Sequence, residues 1–398
     1  MRIVNLKQTN AWYLACMARS TQVFITAFLA LAVGIGWGCS KVEWPEPAAG
    51  QHVALPTLPA TPYPYSDLNF PEQWLNDPAL ALFGGFGDPL TITDAGATLG
   101  RVLFHDVQLS ADNSVSCENC HKQAHAFADV KAGSTGISGT PLSRNTLGLF
   151  NLRYQRRMFW DLRAVGLINQ VLQPIGHPDE MGMDLAELPA KLDSLPYYPD
   201  LFAAAFGDPN IDLDRIAEGL AQFLLSIRSY QSRYDAGLTN GFADFTASEL
   251  IGKGVFFRGD TRCNQCHSGL NFFSTQAFIN GLEMDYGAAG DAGIGAITGN
   301  PSDDGRFKTV SLRNVGLTAP YMHDGRFSDL RAVVDFYSDN ILQHPYLDER
   351  FSDNGIGPPG QEPYRLELTE EERVGLVDFL HTLSDTSMTV DPVFSSPF

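Results

Sequence analysis

Two short strings in this chain carry unusual chemistry: Cys117-x-x-Cys120-His121 and Cys263-x-x-Cys266-His267. Each sets two thiols three residues apart and follows them at once with an imidazole. Covalent attachment of a c-type haem needs that spacing, because two sulfurs must add to two vinyl groups of one porphyrin while the next residue turns onto the iron. Structural zinc sites also use Cys and His, but they do not demand a His directly after both Cys pairs. Two covalently bound haem c groups are therefore expected, with His121 and His267 as proximal iron ligands.

The elements that must position these motifs repeat. Gly100-Arg101 with Phe104 precedes the first motif as Gly252-Lys253 with Phe256 precedes the second. Further on, Gly219 to Ile227 (GLAQFLLSI) matches Gly375 to Leu383 (GLVDFLHTL). Ile216, Leu220, Phe223, Leu224 and Ile227 recur at helical spacing, as do Leu376, Phe379, Leu380 and Leu383. Thr369-x-x-Glu372 forms a capping box at the start of the second closing helix. Each half thus reads as helix, haem motif, long loop region and closing helix. The expected fold is mainly α and loop-rich, with two cytochrome c-like haem domains packed against each other. The boundary falls between Tyr230 and Asn240, which gives an N-terminal domain at 76–235 and a C-terminal domain at 236–390.

At 398 residues the chain is long enough for two cores. Its formal charge of −19 argues against nucleic-acid binding, because the phosphate backbone would be repelled. That acidity suits a basic partner such as a small electron-carrier protein, or serves solubility alone. Arg2, Lys7 and Arg19 precede an apolar run from Val23 to Trp37, so residues 1–39 read as an export signal. Met17 is an alternative start. Gly38-Cys39-Ser40 resembles a lipoprotein attachment site, with Gly36 and Trp37 departing from the usual pattern. The protein is expected in the periplasm, tethered to a membrane if Cys39 carries a lipid. Four cysteines go to haem, Cys39 to the candidate lipid and Cys16 to the leader, which leaves none for a disulfide framework. Residues 40–75 are proline-rich without a period and read as a tether or an arm lying on the surface.

Beyond these features the sequence resembles the bacterial di-haem cytochrome c peroxidases and their MauG-type relatives. The resemblance rests on LFHDVQLS before the first haem motif, Arg144-Asn145, FWDLR at Phe159 to Arg163, QPIGHPDEMG at Gln173 to Gly182 and SLRNVGLTAPYMHDGRF at Ser311 to Phe327. It implies that Trp160 lies between the haems and that Gln170 and Glu180 stand over the peroxide-binding iron. Splitting an O–O bond requires a proton moved from one oxygen to the other, which a carboxylate can shuttle. Gln170 can both donate and accept. By spacing alone, Glu180 and Gln170 read as surface polar groups and Trp160 as core packing, and the resemblance reverses both readings.

In relatives that need reductive activation, a distal histidine lies in the loop before Arg-Asn. Here Gly136 to Ser143 reads GISGTPLS and has none, so the first haem is expected to be open at rest. His125 is a poor substitute. Fourteen residues after His323 the family places the distal ligand of the second haem; here that is Tyr337, with Met322 as a rival. A phenolate in place of methionine lowers the iron's potential. The resemblance also implies a calcium ion held by Asn145, Thr318 and Pro320. Leu162 departs from the family's glycine in FWDLR, which puts the local backbone in question.

The expected function is reduction of hydrogen peroxide to water, with electrons from a cytochrome c or cupredoxin-type donor passing through the second haem to the first. Two alternatives stand beside it. One is a MauG-like oxidase acting on a protein or organic substrate; the other is a non-catalytic di-haem electron carrier with both irons six-coordinate. Homodimers are common in the family.

Overall fold

The computed structural model describes residues 54–78, 90–286, 290–352 and 362–398. The leader, Cys16 and Cys39 lie outside the described residues. The fold is mainly helical, with two antiparallel strand pairs: β1 (Arg157–Met158) with β2 (Ala164–Val165), and β3 (Ala277–Phe278) with β4 (Phe307–Lys308). Among the described residues no helix is long and apolar enough to cross a membrane.

Six helices carry the argument. They are α1 (Asp94–His105), α2 (Leu167–Gly176), α3 (Leu213–Ser226), α4 (Ala247–Phe257), α5 (Leu330–Asp335) and α6 (Glu370–His381). The chain starts α1 with Thr93, whose hydroxyl accepts from the Gly96 amide at 3.0 Å, and with Asp94 in the first turn, where the helix dipole favours an acid. Capping boxes begin both α4, through Thr246 and Glu249, and α6, through Thr369 and Glu372. The spacing foretold the second; the first has the same Thr-x-x-Glu form.

In each half the opening and closing helices cross at glycine. A methyl built on Gly100 would fall inside the Gly219 carbonyl, and one built on Gly252 would fall inside the Gly375 carbonyl. These are the four positions that the internal repeat aligned. The close approach stacks apolar side chains on either side of the crossing: Leu99, Val102, Leu103 and Phe104 of α1 are buried, as are Leu220 and Phe223 of α3. In the second half Val255, Phe256, Phe272, Leu376, Phe379 and Leu380 form one buried cluster.

Most of residues 54–78 are exposed, and a few side chains anchor the segment. Tyr65 and Trp74 are buried, and the Tyr65 hydroxyl donates to the Val393 carbonyl at 2.8 Å. Trp74 stacks on Phe70 and meets Tyr154 and Tyr230. Aromatic side chains among the prolines supply enough apolar area to hold a segment that has no helix of its own beyond Glu72–Leu75. The C-terminal tail runs back to the first half, where Arg101 Nε donates to the Ser395 carbonyl at 2.6 Å and Phe394 meets Phe127 and Phe223.

Arg313 and Asn314, from the SLRN string, are core struts. Arg313 is fully buried, pairs with Asp235 at 2.5 Å and lies over the Trp74 ring. Asn314 accepts from the Asp385 amide at 2.7 Å and donates to the Ser229 hydroxyl at 3.0 Å.

The crossing gives a paired prediction. Gly252→Ala should lower stability by about 1–3 kcal/mol, because backbone and not a movable side chain must give way. Gly254→Ala, in the same helix with open space around it, should be neutral or stabilising by up to about 1 kcal/mol. Denaturant unfolding of the haem-loaded proteins checks both, and equal midpoints for the two variants would show that the crossing is not tight.

Candidate haem cavities and peroxide site

Each Cys-x-x-Cys-His motif forms a single turn that ends by projecting its imidazole inward. The first is the short turn Cys117–Asn119, capped by Ser116 and Asn119, and the His121 amide donates to the Cys117 carbonyl at 2.9 Å. The second is the turn Cys263–Cys266, entered through Arg262 in a left-handed conformation, and the His267 amide donates to the Cys263 carbonyl at 3.0 Å.

Main-chain carbonyls hold both imidazoles. His121 Nδ1 donates to Phe127 O at 2.8 Å. His267 Nδ1 is shared between Val310 O at 3.1 Å and Phe272 O at 3.2 Å. That leaves Nε2 of each ring with its lone pair free for a metal, oriented by the bond at the other nitrogen. Burial holds His121 below its ordinary pKa and takes His267 down to about 4, which in both cases favours the neutral ring that a metal requires. The four motif cysteines are unpaired thiols, and burial raises all of them. Among the described residues no three His, Cys, Asp or Glu side chains gather as they would around zinc. Free thiols, tautomer-fixed imidazoles and adjoining apolar cavities fit one haem at each motif.

The cavity at His121 measures about 710 Å³. Its walls bring together Trp160, Gln170 and Glu180, three residues that the sequence spreads over two strings. Gln170 comes from α2, and Glu180 from the turn just beyond it. The Glu180 amide donates to His177 O at 3.0 Å, and the Glu180 carbonyl accepts from the Ile137 amide at 2.8 Å. The second bond seats the Gly136 to Ser143 loop against the Glu180 turn, and that loop offers no imidazole. Burial raises the Glu180 carboxyl above its ordinary pKa, while His177 and Arg163 pull it down. His125 is not among the residues lining either cavity.

His177 lines this cavity as well, with Nδ1 3.9 Å from a Glu180 oxygen. The sequence offered a signal for it, since His177 and Glu180 stand three apart in one string.

The second cavity is lined by Cys263, Cys266 and His267 and, from the segment after α5, by Tyr337. Met322, the rival ligand, lines it too. Asn280 Nδ2 donates to the Tyr337 hydroxyl at 3.1 Å, and burial raises that phenol to about 12. Asn280 had no sequence signal, as it pairs with a residue 57 positions away.

Trp160 lines both cavities. Its indole Nε1 donates to Asn145 O at 2.8 Å, and its carbonyl accepts from the Lys308 amide at 2.8 Å. Phe159 and Leu162 on either side have φ of 67° and 58°. The left-handed conformation that glycine favours is thus kept at Leu162, where the side chain is buried. Arg144 braces the segment by bonding Asp161 at 2.6 Å and clasping Asp291 through two nitrogens.

Asn145 Nδ2 donates to Pro320 O at 2.5 Å, while Oδ1 is buried without a partner. Asn145, Thr318 and Pro320 all line the His121 cavity.

Comparison with known proteins identifies the family. Residues 94–241 match the family described as di-haem cytochrome c peroxidase. The methylamine utilization protein MauG of Methylorubrum extorquens is 32% identical over 295 residues, 73% of this chain and 79% of that protein. The cytochrome c551 peroxidase of Pseudomonas aeruginosa is 32% identical over 273 residues, 65% of this chain and 78% of that protein. Among solved structures, a MauG-like protein associated with microbial copper homeostasis superposes with a TM-score of 0.67 at 31% identity, covering 77% of this chain and 94% of its own. The diheme peroxidase BthA from Burkholderia thailandensis gives a TM-score of 0.60 at 26% identity, covering 74% of this chain and 87% of its own. With both haem motifs in place and relatives matched over most of their length, this chain belongs to the di-haem cytochrome c peroxidase family, MauG proteins included, and is an oxidoreductase acting on peroxide.

Proposed function

We propose that peroxide is split in the His121 cavity, with Glu180 moving the proton and Trp160 linking that cavity to the His267 site. The observation carrying this reading is the shared wall: His121, Gln170, Glu180 and Trp160 face one space, and Trp160 also faces the other. A haem held by His121 supplies the iron at which peroxide binds and accepts electrons. Glu180 takes a proton from one peroxide oxygen and returns it to the other, and its raised pKa brings the acid and base forms closer in energy near neutral pH. Gln170 orients the peroxide by donating from its amide and accepting at its carbonyl. Two electrons and two further protons complete the conversion to two waters. The electrons come from a small basic carrier of cytochrome c or cupredoxin type, which an acidic protein would attract.

The two crossing-helix halves act as separate haem domains in this proposal, divided near residues 230–240. The protein works outside the cytoplasm after export, with Cys39 as the candidate lipid anchor, and assembles as a homodimer as relatives commonly do. A calcium ion would be held by Asn145 Oδ1 and by the carbonyls of Thr318 and Pro320. The buried, unpartnered Oδ1 fits an oxygen-seeking cation.

A second reading is supported by Tyr337. A phenol in the second cavity, with Asn280 on its oxygen, suits the MauG-like oxidation of an organic or protein substrate that the resemblance implies. Tyr337→Met should then spare peroxide reduction by a small donor and remove substrate oxidation. Loss of both activities together would argue against assigning Tyr337 to the second reaction alone.

Glu180→Gln should load both haems and lose about 10²–10⁴-fold in peroxide turnover, measured at steady state. Undiminished turnover would remove Glu180 from the mechanism. The pH profile carries its own sign. The carboxylate form accepts the proton, so turnover falls as pH drops through the Glu180 pKa. Because burial raises that pKa, the fall should begin at higher pH than for an ordinary glutamate. The same limb should be absent from the residual activity of Glu180→Gln.

A further inference from the structure

Lys308, in β4, lines both cavities and is buried. Its amine donates to the Gln155 side-chain oxygen and to Arg157 O, the latter at 3.0 Å. Both acceptors are neutral. An ammonium carries three N–H donors, so one is left over. Among the described residues no carboxylate pairs with it. By contrast, the buried Arg313 has Asp235 and the half-buried Arg144 has Asp161 and Asp291. A buried charge without a counter-ion is costly, and proteins compensate it with an opposite charge or shed the proton. Burial alone would take this amine down to about 7.

A haem brings two carboxylates of its own. We propose that the Lys308 amine is the counter-charge for a haem propionate where the two cavities meet, a positioning and tuning contact on the wall that also carries Trp160. The inference rests on the family's two-haem reading and concerns only which residue of this chain receives the cofactor's acid. The strand pair supports it. Lys308 is fixed by its register opposite Ala277 and by its own amide bonding Trp160 O, so the amine is presented from rigid backbone. An anion there restores the amine's charge. The same cation then favours electrons on the adjoining haem.

The test is spectroelectrochemical titration of the haem-loaded protein. Lys308→Met should lower the reduction potential of at least one haem, because a positive charge beside it is lost. Lys308→Arg should return that potential towards the wild-type value. Unchanged potentials in Lys308→Met would overturn the proposal, as would an equal fall in both variants, since the Gln155 and Arg157 contacts would then be what matters. A measurement on the unaltered protein covers the case in which Lys308→Met fails to fold. The propionate-bending band of its resonance Raman spectrum should shift on transfer to heavy water if an N–H donates to the propionate. A band that does not move in heavy water would overturn the proposal by itself.

Discussion

The structure depends on two helix crossings made without side chains. Gly100 meets Gly219 and Gly252 meets Gly375 at backbone distance, so each helix pair closes on itself at one point and splays its large apolar residues to either side. In the second half Phe256, Leu376 and Leu380 bound a cavity as well as a core, and Cys263, Cys266 and His267 stand on the same wall.

Much of this was legible because one constraint writes the same residues twice. Glycines at helix crossings, a Phe one turn on and Thr-x-x-Glu at a helix start are local patterns with local causes. The haem motifs were legible for a similar reason, as their chemistry fixes spacing within five residues. Trp160, Gln170 and Glu180 were legible only through resemblance. Their convergence depends on how α2 and the β1–β2 pair return to the His121 turn, which no period in the sequence encodes. Lys308, Asn280 and the aromatic anchors of the arm were not legible at all. A lysine reads as surface until its partners, more than 150 positions away, are known, and proline-rich composition hides the few aromatics that do the docking.

The buried cations of the interior are answered in more than one way. Arg313 meets Asp235, Arg144 meets two aspartates, and the two haem-ligating imidazoles spend Nδ1 on main-chain carbonyls. Each arrangement leaves no charge without an answer inside the protein. Lys191 and Lys308 both hydrogen-bond neutral groups only, but Lys191 lies in the field of Asp106 and Asp112, whereas Lys308 has no carboxylate beside it among the described residues and stands on the wall of both cavities.

The segment around Trp160 joins the walls of the two cavities. Phe159 and Leu162 hold left-handed backbone that their side chains disfavour, at a cost of order 1 kcal/mol each. Such strain persists only where neighbours over-determine it. Here the β1–β2 pair, the Arg144 bond to Asp161, the indole bond to Asn145 and the Lys308 amide on Trp160 O hold it from three parts of the chain. Their joint effect is to fix one indole against two cavities with little freedom to turn. In the proposed relay, where transfer depends steeply on distance, rigidity at this residue is what the role requires. Spending backbone strain on Trp160 is therefore consistent with a protein whose chemistry at one motif depends on charge arriving from the other.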